Sequence, residues 1–320
     1  MIKYVFKRLL LMLVALACIT TICFMLIRML PMTPPDGSNA AQQEVIEKIW
    51  EARGYNKPLL QQYGIYLKGI FTEFDFGTSW KIRSTIPAWD VLVDRLLPTM
   101  LVNLYSLLFS LPLGILFGIY AAIKKNKWQD QVISTGVMIF VSVPSYVYAF
   151  LVQYILFFKL GWFPAIIYSL NDAGGWLTWK MFYSMIPAIL ALSFGQIAGL
   201  CRFTRAELTE TLTSDYMLLA RTKGLTRSQA TVRHALKNAM VPILPSILGS
   251  FIGILGGSMI IEQIFSIPGV GRLYVQAVNM LDYDVFMMDS IFYTFVSLLA
   301  GIIVDISYGF IDPRIRMGER

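Results

Sequence analysis

Long apolar stretches, nearly free of charge, constrain this chain more than any other feature. Six of them, near Leu9–Leu30, Thr99–Ile123, Val132–Phe158, Met185–Cys201, Ala239–Ile261 and Val285–Tyr308, approach or exceed the roughly 18 residues that suggest a membrane span. In hydrocarbon each has to be helical, because only a helix pairs all of its own backbone groups. The expected fold is therefore all-α, a polytopic membrane protein with six transmembrane helices, Met185–Cys201 being the shortest. Composition agrees: 56% of residues are apolar and 15% charged, against about 25% charged in ordinary soluble domains. The first stretch is too long for a signal-peptide core and lacks a small-x-small cleavage site before Pro31, so it reads as an uncleaved helix.

Lys and Arg set the orientation. With six spans, Lys3, Lys7, Arg8, Lys124, Lys125, Lys127, Arg202, Arg205, Arg221, Lys223, Arg227, Arg233, Lys237, Arg314, Arg316 and Arg320 all fall on one side. The short opposite loops hold Lys159, Lys180 and Arg272. Both termini are therefore expected in the cytoplasm. The formal charge of +7 is a topology signal of this kind, and no basic domain exists to bind nucleic acid.

The first outer loop, about Pro31 to Pro98, is long and balanced in charge. Val45, Ile46, Ile49 and Trp50 recur at helical spacing, and Asn56-Lys57-Pro58 reads as the start of a second helix through Ile70. Both are read as covering the ends of the spans rather than as a surface for an external partner. Cys18, Cys23 and Cys201 lie in or beside apolar segments and read as small buried hydrophobes. With His234 the only histidine, no metal site is expected.

One cytoplasmic stretch stands apart. From Ser214 to Pro245 it carries Arg221, Lys223, Arg227, Arg233, Lys237 and His234. Ser214 or Asp215 can cap a short helix running to about Lys223, which Gly224 ends by adopting positive φ. Thr226 or Ser228 can cap a second helix through His234 toward Asn238, with Pro242 and Pro245 following. The expected unit is a helix-turn-helix across the cytoplasmic face, with Tyr216, Leu219, Ala220 and Lys223 on one side of its first helix. From the residues alone, a docking element and a loop that only fixes topology stand level.

Within the spans, Gly249, Gly253 and Gly257 recur every fourth residue, as do Ala191, Gly195 and Gly199. Such rows let helices approach closely, either within this chain or against a second subunit. Gln196 and Ser258 are the polar candidates for a translocation path, with interhelical hydrogen bonding as the alternative. Asp289 and Asp305 are read as structural acids near the membrane interface. Ile267-Pro268-Gly269-Val270-Gly271 reads as a tight outer turn, either a plain connection or part of an outer gate. No phosphate-binding G-x-x-x-x-G-K-[ST] loop exists, since no glycine precedes a lysine, and no constellation suggests a catalytic residue.

The Asp215-Tyr216, Ala220-Arg221-Thr222-Lys223-Gly224-Leu225 and Arg233–Ala239 pattern resembles the cytoplasmic "EAA" loop of ABC importer permeases of the dipeptide/oligopeptide/nickel group. Leu218 and Leu219 stand where the general signature has glutamate and alanine. Further landmarks follow in the family's order: Arg28-Met29-Leu30-Pro31, Phe76-Gly77-Thr78-Ser79, Arg95–Thr99, Glu262–Arg272, Asp282-Tyr283 and Asp312–Arg316. Met32-Thr33-Pro34 replaces the family's glycine-aspartate-proline.

The resemblance implies a type I ABC importer permease fold in a bacterial inner membrane. Residues 1–95 would form the first helix and outer loop, 96–310 a five-helix core with a coupling loop at 202–238, and 311–320 a tail. It implies an ATPase-coupling role for Asp215, Tyr216, Ala220, Arg221, Lys223, Gly224 and Leu225. The implied partners are a second permease, two ATPase subunits, an external solute-binding protein and a peptide substrate. ATP and Mg would be used by the ATPases, with no cofactor bound by this chain. Nickel or another small solute is the alternative within the family, and a self-sufficient secondary transporter or channel the alternative outside it.

Overall fold

In the computed structural model, residues 2–30 and 39–311 are described. The outer and cytoplasmic sides are those expected from the Lys/Arg asymmetry. The chain opens with α1 (Ile2–Arg28), then places α2 (Ala40–Ala52) and α3 (Leu59–Glu73) on the outer side. A short antiparallel pair, β1 (Thr78–Ser79) and β2 (Ile86–Pro87), sets Thr78 opposite Pro87 and leads into α4 (Ala88–Ile123). α5 (Trp128–Ser142) and α6 (Ser145–Gln153) follow, the latter running into a π-helical turn at Tyr154–Lys159. Next come α7 (Leu170–Ala173), α8 (Trp179–Leu212), α9 (Asp215–Thr222) and α10 (Arg227–Ala230). A π segment (Thr231–Ala235), α11 (Leu236–Gly253), α12 (Met259–Ile264), α13 (Val270–Met280) and α14 (Tyr283–Ile311) complete it.

Among the described residues five helices are long and apolar enough to span a membrane, and α5 with α6, bent by 101° at their junction, makes a sixth if the pair is one broken span. The bend sits where Pro144 forces its predecessor out of the helical region: Val143 is extended, at φ −83° and ψ 129°. A straight span over Val132–Phe158 is therefore corrected to a broken one.

Two other expected boundaries move. The fourth span is not short, because α8 runs 34 residues from Trp179 to Leu212. Its apolar centre marks the hydrocarbon, but Arg202, Arg205, Glu207 and Glu210 continue the same helix beyond it. The fifth span stops at Gly253 rather than Ile261, and Ser258 instead starts the short α12. The second helix of the cytoplasmic stretch is not a separate surface element either. α10 passes through the π segment into α11, with Pro242 and Pro245 inside the helix. Membrane helices tolerate such prolines because neighbouring groups re-satisfy the freed backbone.

α4 packs closely against α8. A Cβ on Gly114 would lie 2.9 Å from Leu200 Cβ, and one on Gly118 2.6 Å from Thr204 Cβ. Gly114-x-x-x-Gly118 is thus the small-residue stripe that sets this contact. One apolar core joins Val102, Met181, Met185, Ala188, Ile261 and Phe265. Another, at the outer side, joins Ala88, Leu92, Leu273, Val285 and Met288.

Candidate functional site

Three places collect the motifs. At the outer end, landmarks far apart in sequence converge on buried carboxylates. Asp282, fully buried, accepts hydrogen bonds from Ser79 Oγ (2.7 Å) and from the backbone N–H groups of Trp80, Lys81 and Ile82. Asp284 pairs with Arg28 at 2.9 Å and accepts from Tyr55 Oη at 2.5 Å and Thr78 N–H at 3.0 Å. Gly77, at φ +113°, fits there because a Cβ would fall 2.6 Å from Asp284 Cγ. Burial, and then the negative charge of Asp284, pushes the Tyr55 phenol well above its usual range, so it remains a donor.

The second carboxylate cluster centres on Glu262. Thr99 Oγ1 donates to it at 2.9 Å, as does the Arg272 N–H. Thr99 Oγ1 in turn accepts from Val270 N–H at 2.9 Å, so α4, α12 and α13 meet at one point. Gly257, Gly269 and Gly271 wall this point, and a Cβ on Gly269 would fall 2.3 Å from Thr99 Oγ1. Burial pushes the Glu262 carboxyl up to about 7, against the pull of the backbone N–H of Arg272 and the Thr99 hydroxyl. The expected outer turn is thus one wall of a carboxylate cage, with Pro268 inside the turn and Gly269 as the cap residue of α13.

Between α4, α8 and α11 lies a cavity of about 430 Å³, lined by Asn103, Ser110, Gln196, Ser246 and Ser250 among apolar neighbours. No ionisable side chain lines it. Ser110 Oγ donates to Gln196 Oε1 at 2.7 Å, and Asn103 Nδ2 donates to the carbonyls of Ile254 and Gly256. Gln196, one of the two polar path candidates, lines this cavity. Ser258 does not line this cavity; it caps α12 by accepting from Ile261 N–H.

The glycine rows divide. Gly199 and Gly253 line the cavity, whereas Gly249 packs on Val304, Gly195 on Tyr148 and Gly257 on Glu262. Ala191 is fully buried. Of the two acids, Asp305 pairs with Arg8 at 2.8 Å. Asp289 is fully buried, with neither oxygen hydrogen-bonded.

At the cytoplasmic end, Met217 and Ala220 of α9 are buried against Ala122, Leu208, Ala230, Ala235 and Ala239, with Leu225 packed alongside. Burying Met217 contributes about 1.5–3 kcal/mol. Ala220 is thus buried with Met217, one turn before it, whereas Tyr216, Leu219 and Lys223 are exposed, so the four do not share one environment. The opposite side exposes Asp215, Tyr216, Leu218, Leu219, Arg221 and Lys223. Gly224 ends the helix at φ +87°, and Thr226 with Gln229 forms a reciprocal capping box on α10. Ser214 occupies the cap position of α9, but its hydroxyl donates to Thr211 O instead. The landmark at Asp312–Arg316 lies outside the described residues.

Sequence reasoning missed Asn103, Ser110 and the bracing role of Arg28, Tyr55 and Asp284. The Gly114-x-x-x-Gly118 spacing was a readable signal for the α4–α8 contact; nothing local in sequence joins residue 28 to residue 284.

Comparison with known proteins fits this geometry. Residues 114–317 match the family described as "Binding-protein-dependent transport system inner membrane component". Residues 1–102 match the N-terminal membrane component of the same systems. The chain is 36% identical to the dipeptide transport system permease protein DppB of Lactococcus lactis subsp. cremoris, over 99% of this chain and 100% of that protein. It is 33% identical to the oligopeptide permease OppB of Haemophilus influenzae, over 99% and 100%. It is 31% identical to the glutathione permease GsiC of Escherichia coli K12, over 99% of each. An inward-facing structure of the MetNI methionine ABC transporter shares the fold, with a TM-score of 0.51 at 17% identity, over 70% of this chain and 97% of that one. The chain belongs to the family of binding-protein-dependent transport system inner membrane components: it is a multi-pass permease subunit of an ABC importer, and not an enzyme.

Proposed function

We propose that this permease forms the path for short peptides, driven by ATPase subunits that dock on α9. The observation that carries the substrate reading is the neutral, hydrogen-bonding lining of the cavity between α4, α8 and α11. Asn103, Ser110, Gln196, Ser246 and Ser250 offer amide and hydroxyl groups without a fixed charge. A peptide repeats an N–H and a C=O at each residue, whatever its side chains. Such a lining exchanges hydrogen bonds with it and holds no side-chain charge tightly enough to trap it. The relatives matched over their full length, dipeptide, oligopeptide and glutathione permeases, support the same class of solute.

The exposed side of α9 supplies the coupling surface: Tyr216, Leu218 and Leu219 form an apolar edge flanked by Asp215, Arg221 and Lys223. The partners are a second permease subunit, two ATPases that use ATP and Mg, and an external solute-binding protein. The site is at an inner membrane with both termini cytoplasmic. The test is ATP-driven uptake of labelled di- to pentapeptides by the assembled transporter in vesicles, with Gln196→Leu as the comparison. Peptide uptake that falls several-fold in Gln196→Leu while ATPase association persists is expected. Uptake of nickel ion instead of peptide, or transport without ATPases, overturns the reading.

A further inference from the structure

An apolar groove of about 360 Å³ lies between α4, α5 and α8, toward their cytoplasmic ends. It shares no lining residue with the path, because α8 turns Gln196 and Gly199 to one and Phe194 and Ala198 to the other. Along α8 it follows residues 190–201, about 16 Å of helix. One leaflet of a hydrocarbon core about 30 Å thick has nearly that depth. Phe109, Phe117 and Phe140 along it are exposed, so it opens to the bilayer.

Contacts between α5 and α8 hold the groove at both ends. Toward the deep end Phe140 stacks on Phe194, with ring centroids 4.9 Å apart. Past the cytoplasmic end Asp130 accepts from Arg205 Nε at 2.5 Å and Nη2 at 2.7 Å. Between these ties a Cβ on Gly136 would meet nothing within 4 Å.

The cytoplasmic end has a basic rim. Asp130 also accepts from Asn126 N–H at 2.9 Å, which brings the turn after α4 against Arg205. That turn carries Lys124, Lys125 and Lys127, and among the described residues none of the three pairs with a carboxylate. Lys124 continues the α4 helix through its N–H to Tyr120 O and stands two turns beyond Phe117 on the same face. Arg205 lies one turn beyond Cys201, its side chain 32% exposed. Four bases against Asp130 leave an excess of three positive charges. Trp128 is exposed beside them, a ring of the kind that sits at headgroup depth.

We propose that this groove holds one acyl chain of an anionic phospholipid from the cytoplasmic leaflet, with the phosphate drawn into the basic rim. Hydrocarbon surrounds the spans in any case, so the apolar lining does not choose one lipid over another. The rim does: each Lys or Arg near the surface favours an anionic headgroup by about fivefold. A helix of another subunit, about 10–12 Å across with its side chains, is too wide for 360 Å³ spread over that length. The site is independent of which solute the permease carries.

The test places the full chain in phosphatidylcholine nanodiscs with a trace of phosphatidylglycerol that carries a photoreactive group in one acyl chain. Labelling within residues 109–117, 133–140 and 190–201 is expected, about fivefold or more above that from the matching phosphatidylcholine probe. Gly136→Leu fills the open space beside α5. Labelling should then drop several-fold, with thermal unfolding no lower than wild type. Lys125→Gln with Lys127→Gln leaves the groove and the Asp130–Arg205 pair in place and should bring the phosphatidylglycerol probe down toward the phosphatidylcholine level. Equal labelling by the two probes, labelling that persists in Gly136→Leu, or a preference that survives loss of both lysines overturns the site. So does labelling that disappears when a second permease and the ATPases assemble on the chain, since the groove is then a contact between subunits.

Discussion

The outer and cytoplasmic ends of this permease are held together by different physics. At the outer end, Glu262, Asp282 and Asp284 are buried carboxylates that each collect donors from remote parts of the chain. Such contacts are directional, and a shift of an ångström breaks several at once. At the cytoplasmic end, α9 sits on a seat of alanines with Leu208, through Met217 and Ala220. Dispersion contacts of that kind are weak singly and indifferent to direction. The strong polar link nearby, Asp130 with Arg205 Nη2 at 2.7 Å, ties α5 to α8 and leaves α9 aside. The difference teaches where motion is cheap: the outer end is braced, and α9 rests on a surface over which it can tilt.

The largest effect expected from breaking that contrast is at Asp282. Asp282→Ala removes the acceptor of three backbone N–H groups and of Ser79 Oγ, with the bonds from Ser79 and Trp80 buried and those from Lys81 and Ile82 partly buried. The expected loss is about 3–5 kcal/mol. Limited proteolysis of membrane-inserted protein should then cut the segment from α2 to β2 while the spans stay protected. Resistance equal to wild type would show that the outer end is not braced by this carboxylate.

These braces also mark the limit of what sequence could reveal. Spans, the two outer helices and the break at Gly224 were legible, because hydropathy, helical spacing and cap residues are local signals. The bend at Pro144 was legible in principle, through the residue-before-proline rule, and was passed over inside a long apolar run. The length of α8 was misread because Arg202 and Arg205 look like the end of a span, although a helix does not stop where the hydrocarbon does. The landmarks Arg28, Gly77-Thr78-Ser79 and Asp282 were visible as a pattern, but their meaning is a meeting in space across more than 200 residues. The cavity residue Gln196 was singled out as a lone polar residue in a span, while Ser110, its hydrogen-bond partner, hid among ordinary helical serines.

A smaller effect, and one that sharpens the comparison, comes from pH. Burial raises the Glu262 carboxyl from 4.5 to about 7. A raised carboxyl binds its proton more tightly in the folded chain than in the unfolded one. Its stabilising contribution is complete below about pH 4.5 and is lost as pH rises through about 7. Thermal unfolding of the outer end should therefore fall by roughly 1–3 kcal/mol between pH 5 and pH 8. Glu262→Gln mimics the protonated form and should flatten that slope. The cytoplasmic seat has no such group in its core, so trimming of α9 by protease should not follow the same curve. An unchanged slope in Glu262→Gln would assign the pH response elsewhere.

At the cytoplasmic end, Gly224→Val places a β-branched residue at φ +87°. The strain is about 1–2 kcal/mol, confined to the turn after α9. Membrane insertion and the outer end should be intact, while ATP hydrolysis uncouples from uptake in the assembled transporter. Wild-type coupling in this variant would separate the turn from the coupling role.

The smallest effect on stability, and the sharpest test of which side of α9 faces a partner, is expected at Leu219. Its side chain is 55% exposed, three residues after Tyr216 and two after the buried Met217. Leu219→Ala removes little buried surface, so stability should change by less than about 0.5 kcal/mol. Met217→Ala, on the seated side, should cost about 2 kcal/mol or more by opening a cavity against Leu208. Association with the ATPases should show the reverse order, weakened most by Leu219→Ala if the exposed edge enters their cleft. Thermal unfolding and co-purification of the ATPases, measured on both variants, give the two rankings. Rankings that run in parallel would mean that α9 acts only by staying folded; rankings that cross would mean that a helix seated on alanines carries its contact energy on the face it shows to the cytoplasm.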